Sequence, residues 1–210
     1  MKTLVAIPAM DTVPVGFVQS LMNLRRVGEC QDGWICSSLI YNARNELAMR
    51  AIEGGFDRML WFDSDQTFEP DFMERLSAHL DAGCEMVSGL YFTRKPPHKP
   101  TIFKTCGIER VGEGLLSPTA DCYADYPKDS FFEIAACGFG GVMISVDLIK
   151  RVRDKLGKLP FSPVLGFGED LSFCMRVREV GGHIFCDSSA KMGHIGQYTY
   201  TDADASPWEV

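Results

Sequence analysis

Apolar residues come in short bursts that alternate between two spacings through the first half of the chain. Residues 4–7 are continuously apolar and stop at Pro8, which reads as a first strand. Pro14 sits in the first turn of a helix running to about Arg26, with Phe17, Val18, Leu21 and Met22 at helical spacing. A short strand over 34–38 and a helix over 42–53 follow; the helix carries Ala43, Leu47, Ala48, Ala51 and Ile52 on one face and is stopped by Gly54 and Gly55. Met59, Leu60, Trp61 and Phe62 form a run of large apolar residues, the signature of a strand buried on both faces. Pro70 opens a third helix with Phe72, Met73, Leu76 and Leu80 inward and Gly83 at its close, and 86–92 is another strand. This alternation predicts an α/β fold, a mostly parallel central sheet flanked by helices.

The rhythm breaks over 93–130, where short apolar pieces such as 101–104 lie between Pro, Gly and Asp; hairpins and loops are expected there. Strands resume at 131–136 and 141–145. Gly138, Gly140 and Gly141 between them serve either a close approach of backbone or ligand, or a tight bend. A helix begins near Asp147, Pro160 and Pro163 mark a loop, and Gly168 leads into a further helix. The last strand is 183–186, with 191–196 running out of it. The polar, acidic stretch 197–210 is expected to be a mobile tail, a candidate lid, after one domain spanning 1–196.

Composition narrows the classes. A net charge of −7 argues against binding nucleic acid or anionic membranes without sequence preference. The N-terminus reads as a strand rather than a signal peptide, and no run is long enough to span a bilayer. The eight cysteines are scattered without a Cys-x-x-Cys pair, which suggests buried free thiols in a reducing cytoplasm; Cys106, Cys122 and Cys137 are the set to check for pairing.

Candidate chemistry gathers at three places. In an extended strand residues i and i+2 point the same way, so Asp63 and Asp65 project together if the strand persists past Phe62. Two adjacent carboxylates repel unless a cation joins them, and a divalent ion at a strand's C-terminal end lies where open α/β sheets bind ligands. A polar turn is the alternative. Glu169 and Asp170 occupy the first turn of a helix, where the macrodipole favours acids. Asp170 shares its stripe with Phe173, Cys174 and Val177, whereas Glu169 aligns with Ser172 and Arg176. Asp170 is therefore the candidate general base, partly desolvated, and Glu169 a positioning residue. His194 lies open between Gly193 and Gly196, unlike His79 and His183. Arg44 and Asn45, in the first turn of their helix, can reach a phosphate or ribose, or simply face solvent. The basic loop of Arg94, Lys95, His98 and Lys99 either closes over a diphosphate or is solvated.

In combination these residues resemble a family. Residues 43–48 (Ala-Arg-Asn-Glu-Leu-Ala), Gly54-Gly55-Phe56, then 60–65 (Leu-Trp-Phe-Asp-Ser-Asp) are similar to the core of family 2-like glycosyltransferases with the GT-A fold. The glycine-rich strand, Gly168-Glu169-Asp170 with Phe173 and Arg176, and Gly193-His194 follow in the family's order, so the resemblance covers Val5 to about Gly196. It implies a single GT-A-like domain with a smaller antiparallel region in its second half. It also implies transfer of a sugar from a nucleotide-diphosphate donor, UDP- or GDP-linked, to a hydroxyl acceptor with inversion. Asp63, Asp65 and His194 would hold Mn2+ or Mg2+, and Pro8, Arg44, Asn45, Asp63, Ser64 and Asp65 would meet the nucleotide sugar. Asp170 would act as base beside Glu169. One departure stands out: where family members often carry an acidic cluster after the second strand, 36–40 read Cys-Ser-Ser-Leu-Ile, so the nucleobase is left open.

Two other readings compete. Residues 60–67 also fit the Asp-x-Asp-x-Thr signature of haloacid-dehalogenase-like phosphatases, with Asp63 as nucleophile and Asp65 as acid/base. That motif usually ends a domain's first strand, whereas two strand–helix units precede it here. A GT-A-like module that binds sugar nucleotides without turnover is the third.

Overall fold

The computed structural model describes residues 1–112, 114–157 and 159–196. The stretch expected to act as a lid, 197–210, lies outside the described residues. The elements in chain order are β1 (Lys2–Ala9), α1 (Val15–Asn23), β2 (Glu29–Cys36), α2 (Ile40–Glu53), β3 (Arg58–Phe62), β4 (Gln66–Phe68), α3 (Phe72–Asp81) and β5 (Met86–Leu90). There follow β6 (Ile102–Val111), β7 (Leu115–Cys122), β8 (Phe131–Ile134), β9 (Ala136–Cys137), β10 (Gly141–Ser145), α4 (Val146–Leu156), α5 (Glu169–Glu179) and β11 (Ile184–His194).

The strand alternation of apolar residues builds two cores. Leu4, Ala6, Trp61, Val142 and Ile144 face one side of the sheet, where α2, α4 and α5 bring Leu47, Leu148 and Phe173 against them. Val5, Ile7, Leu60, Phe62 and Met143 face the other, covered by Phe17 of α1 and Phe72, Met73 and Leu76 of α3. Because both faces are covered, β3 is buried along its whole length, as its unbroken apolar run predicts.

The main sheet has eight strands in the order β2-β1-β3-β10-β5-β11-β4, with β8 also on β11. β1 pairs parallel with β2 and β3, and β11 pairs parallel with β5. β10 runs antiparallel between β3 and β5, and β4 and β8 run antiparallel to β11. Five strands, β1, β2, β3, β5 and β11, therefore point the same way and end at one edge. The expected hairpin region is a separate three-stranded antiparallel sheet, β7-β6-β9.

Several boundaries depart from the sequence reading. α1 stops at Asn23 because Leu24 is already extended (φ −61°, ψ 120°). β2 starts five residues before the expected Trp34, at Glu29; as an edge strand it buries Gly33 alone, so its polar residues give no apolar signal. Residues 131–136 are two strands in different sheets, split at Ala135, whose N–H donates to Phe103 O (2.9 Å). The two final pieces, conversely, are one strand, β11, with a register shift between Cys186 and Lys191. All eight cysteines are free; Cys106, Cys137, Cys174 and Cys186 are buried, and Cys36 is exposed. Among the described residues no helix is long and apolar enough to cross a membrane.

Candidate functional site

The common edge of the five co-directional strands brings together Pro8, Arg44, Asp63, Ser64, Asp65, Glu169 and His194 of the expected residues, while Asn45 and Asp170 do not line the cleft there. β1 ends at Pro8 and Ala9, β2 runs into Ser37 and Ser38, β3 into Asp63, β5 into Tyr91, and β11 ends at His194. These ends surround a cleft of about 330 Å³ that also holds Ser64, Asp65, Arg44, Arg94 and Glu169. An open sheet offers such a place because the loops leaving parallel strands diverge there.

The Asp63–Asp65 segment is a turn, which corrects the extended conformation expected past Phe62. Asp63 N–H donates to Gly140 O (3.2 Å) and Gln66 N–H to Asp63 O (3.2 Å), so the chain reverses into β4 within four residues. The two carboxylates take different partners. Asp63 Oδ1 accepts from Arg44 Nη2 at 2.6 Å. Asp65 Oδ2 faces Arg94 Nη1 at 3.1 Å and His194 Nε2 at 3.4 Å. Ile195 N–H donates to Asp65 O (2.8 Å) and thereby fixes the end of β11 against the turn. At Gly193 a Cβ would overlap the Thr67 hydroxyl, so a small residue is required beside His194.

Arg44 is a strut between the acids rather than the exposed anion binder its helix position allowed. It is 2% exposed, and its Nε also donates to Glu169 Oε1 at 3.1 Å. The rings of Trp61 and Phe139 lie 5.5 and 5.2 Å from its guanidinium carbon. Burial alone would lower the guanidinium pKa; Asp63, Glu169 and Asp170 outweigh it and hold the pKa above the ordinary value. Asn45, expected at the nucleotide, is 5% exposed, and its Oδ1 accepts Phe161 N–H at 2.9 Å. It anchors the loop before α5 and does not line the cleft.

Gly168 caps α5, and Glu169 and Asp170 fill its first turn as expected. Phe173, Cys174 and Val177 on the Asp170 stripe are each 0% exposed. Desolvation by this setting, with Glu169 next to it, raises the Asp170 carboxyl to about 6. Its Oδ1 accepts Leu171 N–H at 2.7 Å, and a Cβ at Gly168 would lie 2.9 Å from that oxygen. Through Arg44, Glu169 and Asp170 belong to the same charged cluster as Asp63.

His194 Nδ1 lies 2.8 Å from Phe92 O. A carbonyl only accepts, so Nδ1 carries a proton, and Nε2 is the ring nitrogen directed at Asp65. Carboxylate plus oriented imidazole is a mixed oxygen and nitrogen donor pair open to a divalent first-row metal ion. Among the described residues, no group of three or more His, Cys, Asp or Glu is arranged to hold a metal ion. Asp65 and His194 converge, while Asp63, expected as the third ligand, is turned to Arg44.

Tyr91 was not anticipated. It is 6% exposed, its hydroxyl oxygen accepts Gly140 N–H at 3.2 Å, and its ring meets His194 edge-on with centroids 5.4 Å apart. Burial and the nearby Asp63 and Asp170 drive its phenol pKa well above the usual range. The glycines expected to admit backbone or ligand, or to form a tight bend, instead admit this side chain, which a Cβ at Gly138 or Gly140 would strike.

No family model and no curated protein matches the sequence. The architecture nevertheless has a class: a single mixed α/β domain with a large, mostly parallel sheet, helices on both faces and a small antiparallel sheet, which is a GT-A-like fold. Among solved structures it is similar to A197 from STIV, with TM-score 0.65, 19% identity, and coverage of 94% of this chain and 87% of that one. It is also similar to GalNAc-T7 crystallised with UDP, GalNAc and Mn2+, with TM-score 0.60, 9% identity and 94% of this chain covered. In that second case the match spans 43% of the longer chain.

Proposed function

We propose that this protein is a metal-dependent glycosyltransferase that moves a sugar from a nucleotide-diphosphate donor to a hydroxyl acceptor with inversion. The observation that carries the reading is the charged cluster at the sheet edge, where Asp65 faces His194 and Arg44 joins Asp63 to Glu169 in the first turn of α5. Asp170, next to Glu169, is pushed by desolvation to about 6, which suits a base near neutral pH. The GT-A-like fold supports it, and a similar structure holds UDP and Mn2+.

Asp65 and His194 would hold Mn2+ or Mg2+, which when bound offsets charge developing on the departing nucleoside diphosphate. The remaining roles belong to the chain. Pro8, Ser37, Ser38 and Ser64 line the cleft that would receive the nucleotide. With serines and no acid from β2, hydroxyl and backbone groups would meet the base. Arg44 holds Asp63 and Glu169 in place, so Glu169 positions the first turn of α5. Asp170 takes the proton from the acceptor hydroxyl as its oxygen attacks the anomeric carbon opposite the leaving group.

The test is nucleoside diphosphate release from a panel of UDP- and GDP-sugars with Mn2+, in the native chain and in Asp65→Ala. Metal-dependent release that Asp65→Ala abolishes supports the reading. Phosphate release from simple monoesters would favour the phosphatase, and nucleotide binding without turnover the non-catalytic module. The phosphatase requires Asp63 as a free nucleophile, whereas Arg44 holds its carboxylate at 2.6 Å.

A further inference from the structure

Beside the nucleotide cleft opens a larger cavity of about 850 Å³, sharing Tyr91, Arg94 and His194 with it. Its outer wall is the loop between β5 and β6, which Thr93 ties to itself. Thr93 N–H donates to Lys99 O (2.8 Å), Lys99 N–H donates to Thr93 Oγ1 (3.0 Å), and Thr93 Oγ1 donates to Lys95 O (3.3 Å). The loop thus presents Lys95 and Lys99 to the cavity beside Arg94, and no acid lines it. That is unusual in a chain of net charge −7.

The other described lysines all have partners. Lys104, Lys150 and Lys191 pair with aspartates, Lys2 and Lys155 donate to backbone carbonyls, and Lys128 sits over the Tyr126 ring. Among the described residues, Lys95 and Lys99 have neither an acid, a carbonyl nor a ring. Two unmatched ammonium groups around one apolar-floored cavity, beside an Arg94 guanidinium that also faces Asp65, call for an anion.

We propose that this cavity is the acceptor subsite and that the acceptor is a hydroxyl compound bearing a phosphomonoester; the acceptor role rests on the transferase reading. A phosphomonoester carries about −1.5 to −2 charges near neutral pH with three acceptor oxygens, which matches the two free ammonium groups better than a single carboxylate does. The donor diphosphate is not the better occupant, because Lys95 and Lys99 line this cavity and are absent from the cleft that holds Asp63 and Asp65. Tyr91, Arg94 and His194 line both spaces, so an acceptor seated here lies directly beside the cleft that would hold the donor.

The experiment is calorimetric titration, without metal or nucleotide, of glucose 6-phosphate, glucuronate and glucose into the native chain and a Lys95→Ala/Lys99→Ala variant. Glucose 6-phosphate should bind best and glucuronate weakly. The variant should bind glucose 6-phosphate roughly tenfold less tightly, as expected for lost charge-assisted hydrogen bonds, while its binding of UDP with Mn2+ is unchanged. The proposal is overturned if glucose 6-phosphate binds no more tightly than glucose, if glucuronate equals it, or if the variant loses UDP instead. A native chain that takes glucose 6-phosphate but not UDP with Mn2+ overturns the transferase reading and the acceptor role, and leaves the anion site standing.

Discussion

Arg44 carries a full charge where water hardly reaches, and it is tolerated because two carboxylates and two aromatic faces replace most of its hydration, Nη1 being left without a hydrogen-bond partner among the described residues. Removing it would leave Asp63 and Glu169 to repel each other above an empty slot between Trp61 and Phe139. Arg44→Ala should lose about 3 kcal/mol in urea unfolding, the low end for a broken buried pair because Asp63 is partly exposed. A loss under about 1 kcal/mol would show the strut to be dispensable. Asp170 behaves in the opposite sense. Its folded pKa of about 6 lies above the ordinary carboxylate value of 3.8, so its ionisation opposes folding as pH rises through that window. Asp170→Asn should therefore melt higher than the native chain at pH 8, with the advantage vanishing toward pH 4. Transfer in the native enzyme should rise with pH through about 6 and collapse in the variant, while UDP still binds. Equal melting profiles would mean that the carboxyl is not desolvated. The sequence made Asp170 legible through the apolar residues at helical spacing behind it. Arg44 was visible as a charge near the sheet edge, but no local pattern tells a helix-end cation that it will be roofed by residues 61 and 139.

At the scale of elements, the glycines between β9 and the start of β10 make room for two side chains. Gly138 and Gly140 accept the Tyr91 ring, and Gly141 accepts Met192 of β11. Gly138→Ala would force the tyrosine aside; a destabilisation of roughly 1–3 kcal/mol is expected from such overpacking. His194, packed edge-on against that ring, should shift with it. A histidine proton chemical shift unchanged from the native chain would contradict this coupling. The elements that continuous apolar runs or clear helical stripes announce, such as β3, α2 and α3, lie where the spacing puts them. Those set by tertiary context do not. β2 begins in polar residues because an edge strand needs few apolar ones, and the Asp63–Asp65 turn forms because Gly140 and β4 capture its backbone. A strand rule applied to 63–65 cannot foresee that capture.

For the whole molecule, the metal proposed for the site is not what holds the fold together. Arg44 and Arg94 already offset Asp63 and Asp65, and the two apolar cores lie on the sheet faces away from that edge. Chelation with EDTA should leave the thermal midpoint of the nucleotide-free chain within about 2 °C while removing UDP binding, since a ligand stabilises only the state it binds. A fall of many degrees would make the ion structural. The basic loop, by contrast, was legible only as an alternative between closing over a phosphate and facing solvent. What decides it is the partnering of the other lysines, which no linear reading displays.

The position of β10 bears on how such a molecule comes into being. This strand, residues 141–145, is laid between β3 and β5, so the middle of the sheet is supplied by a segment made long after its neighbours. A nascent chain that has emerged only as far as α3 and β5 holds one ribbon, β2-β1-β3, and a lone strand, β5, with a missing plank between them. Their apolar edges must wait for some fifty more residues, those from Tyr91 to Gly140. Folding of this chain is thus bound to late, long-range closure, and a fragment ending before residue 141 should be a ward of chaperones rather than a half-built enzyme.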